Sequence, residues 1–107
     1  MDKALRYLAL AAKAGHLTVG AEDCAKSMKP GKGHLLLTAA DAAPNTVRQM
    51  EELARSRKTA LARTIYTKQD IAHAIGRYNP VAVAMICDKG LAEAFAKAAA
   101  GTQEQEE

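Results

Sequence analysis

The chain has 107 residues, 49% of them hydrophobic and 25% charged, which suits one compact domain and argues against a chain disordered throughout. Alanine accounts for 24 residues and aromatics for only four (Tyr7, Tyr66, Tyr78, Phe95), so the core must be thin, with closely approaching elements sealed by Leu, Ile, Val and Met. No apolar run approaches the roughly 18 residues that a membrane span needs, which excludes a transmembrane protein.

Residues 2–14 read as a first helix, because Leu5, Leu8, Ala9 and Ala12 form one apolar stripe. Asp2 can cap its start and Gly15 can end it. A short extended piece, His16 to Val19, leads through Gly20 to a second helix over 21–29, stopped by Pro30-Gly31. Its inner face is Ala21, Cys24, Ala25 and Met28, and Glu22, Lys26 and Lys29 lie outside. His34 to Ala40 is continuously apolar in its centre, as a strand buried on both faces should be. Asp41 to Thr46 supplies cap residues and an early proline for a third helix over 45–57. Residues 60–66 suggest a further strand, and Thr67 with Asp70 resembles a capping box opening a fourth helix that Gly76 closes. Val81 to Cys87 is the second buried strand, and Asp88 caps a last helix carrying Leu91, Phe95 and Ala98. Helices alternating with buried strands predict an α/β fold with helices on both faces of the sheet. Residues 1–100 form the expected domain, and 101–107 read as an acidic, disordered tail.

Most enzyme constellations are absent. Lys29-Pro30-Gly31-Lys32-Gly33 lacks the glycine and hydroxyl spacing of a Walker loop. His16, His34 and His73 share no metal spacing with each other or with the cysteines, so neither a metal nor a cofactor is expected. Cys24 and Cys87, 63 positions apart, read as reduced thiols of a cytoplasmic protein, and the N-terminus lacks the apolar block of a signal peptide. Asp41 and Asp88 both follow buried strands, where they either converge as a carboxylate pair or simply cap the helices that follow. The capping role is favoured.

The outer face of helix two carries more information. Gly20 leaves the backbone N–H groups at the helix start uncovered, a place where a phosphate backbone can approach. Glu22 and Asp23 can accept from guanine amino and imino groups, while Lys26, Lys29 and Lys32 can neutralise phosphates. The alternative is a solvated face with a Glu22–Lys26 pair one turn apart. Net charge points the same way as the RNA reading. Setting aside the three glutamates among the last four residues leaves 15 basic against 9 acidic positions. The aromatics are too scattered for a stacking platform, which favours folded over single-stranded RNA.

These residues resemble the kink-turn RNA-binding ribosomal protein superfamily, the L-seven-Ae and L-thirty-e group, and most closely its small bacterial YlxQ-like members. The likeness covers about residues 5–97 and runs through Leu8 to Gly15, Val19-Gly20, Lys26, Leu35 to Thr46, Thr67-Lys68, Ile75 to Arg77 and Val83 to Gly90. It implies a three-layer α/β/α sandwich around a mixed four-stranded sheet. It also implies a non-enzymatic protein, monomeric and ribosomal or ribosome-associated, that recognises a kink-turn-like structured RNA such as rRNA. An adaptor of the same fold that binds protein instead is the alternative. The family pattern Gly-x-Asn-Glu-x-x-Lys is matched by Gly20-Ala21-Glu22-Asp23-Cys24-Ala25-Lys26, with Asp23 shortened from Glu and Glu22 replacing Asn. Ionised Glu only accepts hydrogen bonds, whereas Asn also donates. This replacement favours general RNA binding over high-affinity kink-turn recognition. The family's second contact maps to Arg77-Tyr78-Asn79-Pro80, basic and aromatic here where the family loop is apolar.

Overall fold

A computed structural model describes the backbone of residues 2–105 and the side chains of residues 2–100. Nine elements follow one another: α1 (Lys3–Lys13), β1 (Leu17–Val19), α2 (Ala21–Met28), β2 (Leu35–Thr38), α3 (Pro44–Ser56), β3 (Ala60–Arg63), α4 (Lys68–Ala74), β4 (Val83–Ile86) and α5 (Lys89–Gln105). The tail expected over 101–107 begins inside α5, whose backbone runs to Gln105; the side chains beyond residue 100 and the last two residues lie outside the described residues.

The four strands form one mixed sheet in the order β1-β4-β2-β3. β4 runs antiparallel to both β1 and β2, while β2 and β3 are parallel. The sheet therefore has two distinct ends. At the upper end β1, β2 and β3 finish, β4 begins, and the chain turns into α2, α3 and α4. At the lower end Leu35 pairs with Ile86 on one side and with Ala60 on the other.

Alternation along the buried strands divides the core into two layers. Leu35, Leu37, Ala84 and Ile86 face α1, α4 and α5, and pack with Ala4, Leu8, Ala11, Ile71 and Phe95. Leu36, Val83 and Met85 face α2 and α3, and meet Cys24, Met28, Met50 and Ala54. Alanines at the helix contacts bring the backbones close, as the composition requires. Thr67 and Asp70 close the expected capping box, with Thr67 Oγ1 accepting from the Asp70 N–H and Asp70 Oδ2 from the Thr67 N–H.

The two aspartates part ways: Asp88 caps as expected and Asp41 does not. Asp88 accepts from the Leu91 N–H at 2.8 Å and so caps α5, the helix that follows it. Asp41 skips α3 and accepts from the Lys68 N–H at 2.8 Å, at the start of α4. Parallel pairing of β2 with β3 carries the ends of both strands to one place, so the residue after β2 reaches the helix after β3. Because β2 and β4 are antiparallel, Asp41 and Asp88 stand at opposite ends of the sheet, and no carboxylate pair forms.

Candidate nucleic-acid interface

The site expected from sequence is built at the upper end. Gly20 leaves β1 with φ +98° and ψ 143°, a conformation that a side chain strains. Its N–H donates to the Val83 carbonyl at 2.9 Å, which ties the start of α2 to the start of β4. No side chain caps α2. The N–H groups of Ala21, Glu22 and Asp23 therefore precede the first intrahelical bond, from the Cys24 N–H to the Gly20 carbonyl. A Cβ placed on Gly20 would touch nothing within 4 Å, so the surface above these N–H groups is open.

Glu22, Asp23 and Lys26 are exposed on the first two turns of α2, while Cys24 and Met28 are buried beneath. The two acids favour the positive end of the helix dipole by a few tenths to about 1 kcal/mol. Among the described residues the salt bridge that forms is Arg63 to Glu51, so Glu22 and Lys26 do not hold each other. This leaves both side chains available to a ligand.

The second segment, Arg77-Tyr78-Asn79, climbs back toward that end from Gly76, which lies beside Lys13 at the close of α1. Gly76 closes α4, and the chain returns through exposed Arg77, Tyr78, Asn79 and Pro80 to Val81, whose N–H donates to the Lys68 carbonyl at 3.1 Å. These residues line a shallow open depression, with Tyr78 95% exposed and hence free to meet a base or a sugar. The Gly20–Val83 hydrogen bond ties the α2 start to β4, the strand into which this loop leads.

Lys29 and Lys32 are placed elsewhere. Lys29 ends α2, and Lys32 lies in the turn before Leu35, so both belong to the lower end. A helix of eight residues advances about 12 Å at 1.5 Å per residue. The three lysines therefore cannot crowd around Gly20. The structure adds partners that sequence reasoning did not single out. Ile65, 42% exposed, lines an upper-end cleft with Val47 and Arg63. Only the pairing of β2 with β3 brings that segment here, and no local motif announces it.

The Cys24 thiol offers no chemistry at this site. Burial first, then the neighbouring Cys87 and Asp23, push the Cys24 thiol up to about 12, so it stays neutral and unreactive. No group of three or more His, Cys, Asp or Glu side chains among the described residues is arranged to hold a metal. None of the helices there is long and apolar enough to cross a membrane.

Comparison with known proteins agrees with this architecture. The ribosomal protein L7Ae/L30e/S12e/Gadd45 family matches residues 2–96. No curated protein matches the chain. A solved protein of unknown function from Bacillus halodurans is 26% identical, with a TM-score of 0.87 over 94% of this chain and 99% of its own. The Giardia lamblia 15.5kD RNA binding protein is 22% identical and shares the fold, with a TM-score of 0.76 over 94% of this chain and 84% of its own.

Proposed function

The chain belongs to the ribosomal protein L7Ae/L30e/S12e/Gadd45 family, and from that premise we propose that it is a ribosomal-type RNA-binding protein that grips a folded, kink-turn-like RNA at the upper end of its sheet. The supporting observation is the coupling of two contact segments. An uncapped α2 start at Gly20 is bonded to the first residue of β4, the strand into which the Arg77–Asn79 loop leads. Phosphate would meet the N–H groups of Ala21 to Asp23 and the ammonium of Lys26. Glu22 and Asp23 would accept from guanine edges, and Arg77, Tyr78 and Asn79 would touch the opposite strand. The members of this family are non-enzymatic RNA-binding proteins, and this one is not an enzyme.

The adaptor alternative would need an apolar docking face. The large apolar side chains that stand exposed among the described residues, Leu10, Ile65 and Tyr78, are scattered over three segments. Nothing here favours that reading over RNA.

Glu22 sets how selective the grip is. A good bidentate base contact is worth on the order of 1–3 kcal/mol of discrimination, or about ten- to a hundred-fold. Glu22 cannot donate, and it adds negative charge beside phosphate, so the native protein should prefer a kink-turn over a plain duplex only modestly. Glu22→Asn should sharpen that preference by about ten-fold or more. Paired titrations of both RNAs with both proteins, at one salt concentration, read this directly. Weaker kink-turn binding by the variant would mean that Glu22 reads guanine through acceptor contacts and that the natural RNA differs from a kink-turn.

A further inference from the structure

The lower end of the α2–α3 layer carries a second cationic cluster. Both helices run down the same face of the sheet and share one core cluster, to which α2 gives Met28 and α3 gives Ala54. Their C-terminal segments lead into β2 and β3, whose first residues, Leu35 and Ala60, are paired neighbours. Adjacent strands lie about 5 Å apart, so the chain before each strand is brought alongside the other. This gathers Lys29 and Lys32 from one segment with Arg55, Arg57 and Lys58 from the other, and all five are exposed.

Helix ends alone do not account for this many cations. Two helix C-termini carry together about one negative charge. Glu52, one turn above Arg55, adds another, while Glu51 is engaged by Arg63. A surplus of about three positive charges remains, and none of the five makes an ion pair among the described residues.

Lys58 adds an independent sign. It has φ +55° and is the non-glycine residue with positive φ among the described residues. It occupies the left-handed position of a Schellman ending to α3, where the Thr59 N–H donates to the Ala54 carbonyl and the Lys58 N–H to the Arg55 carbonyl. Glycine is the residue that suits this position, and lysine is strained there. Backbone strain of this kind clusters at ligand-binding sites.

We propose that this cluster is a second RNA contact, a sequence-independent clamp on the phosphate backbone of a duplex arm leaving the RNA held at the upper end. No aromatic side chain belongs to the cluster, so it fits phosphates rather than unstacked bases. Two arginines can each take a phosphate bidentately. The proposal rests on the RNA-binding reading above, and its test separates the two.

The probes are an internal loop with tandem sheared G·A pairs carrying one duplex arm longer than the 33 Å body, and the same loop with that arm trimmed to a few base pairs. For the native protein, the slope of log affinity against log salt should be steeper for the long arm. The Arg55→Gln/Arg57→Gln/Lys58→Gly protein should lose about 2.7 of that slope, three contacts at about 0.9 each, and keep its affinity for the trimmed RNA. Lys29→Gln/Lys32→Gln, on a different segment, should lose about 1.8. Lys58→Gly alone should raise the melting temperature by about 4 °C while binding the long-armed RNA more weakly. Unchanged slopes in both multiple variants overturn the clamp. Tight binding of the long-armed RNA with none of the trimmed one would sink the upper-end reading and leave the clamp standing. Failure to bind either RNA overturns both.

Discussion

Gly20→Val should cut RNA affinity by on the order of ten- to a hundred-fold, the loss expected when a close contact of 1–3 kcal/mol is blocked. Two effects act together. The new side chain stands over the N–H groups of Ala21, Glu22 and Asp23, which no side chain caps. A β-branched residue at φ +98° also carries strain of about 1–3 kcal/mol, so the protein itself should be less stable. Strain and blockage must therefore be told apart. Gly15→Val is the control, because Gly15 has φ +77° and equally open space around its Cβ, but lies at the lower end before β1. Both variants should melt earlier, and only Gly20→Val should lose RNA. Titrations well below both melting temperatures, alongside thermal melts, give the comparison. Equal loss of affinity in the two proteins would show that Gly20 acts through folding and not through contact.

Phe95→Ala should remove about 3–5 kcal/mol of stability, a large part of what a domain of this size possesses. Phe95 is wholly buried and meets Tyr66 edge-on, with ring centroids 6.4 Å apart. Tyr66 in turn donates its hydroxyl to Asp2 Oδ1 at 2.8 Å, so one aromatic pair links α5, the segment before α4 and the cap of α1. The surrounding helices contribute Ala4, Ala11, Ala72 and Ala92, which already bring their backbones close. They have little room to collapse into the cavity, so the loss should fall toward the upper part of the range. Urea unfolding of the two proteins measures it. A loss under about 1 kcal/mol would mean that this layer repacks freely, contrary to the tight contacts described.

The fold was legible wherever the signal is local. Continuous apolar runs marked β2 and β4, Thr67 and Asp70 marked the start of α4, and glycines marked the helix ends. The strand expected over 60–66 proved to be Ala60–Arg63: after the Thr64 N–H donates to Thr38, the Ala40 N–H skips to the Tyr66 carbonyl and the ladder loses register. What the sequence hides is set by pairing direction. Nothing near Asp41 says that it will cap α4, and nothing near Asp88 says that it will point away from Asp41. The site follows the same rule. Gly20, Glu22, Asp23 and Lys26 were visible as one stretch on α2, whereas the loop at Arg77 joins them only through β4. Lys32 looked like a continuation of that stretch, and the length of α2 carries it to the other end.

The central claim, that RNA is gripped at the upper end of the sheet, is tested most directly by following backbone amide resonances while a kink-turn RNA is titrated at fixed salt. The largest shifts should fall on Gly20 to Asp23, Lys26 and Arg77 to Asn79, with α1 and α5 nearly silent. Shifts concentrated on α1 and α5, with Gly20 to Asp23 and Arg77 to Asn79 unmoved, would contradict it.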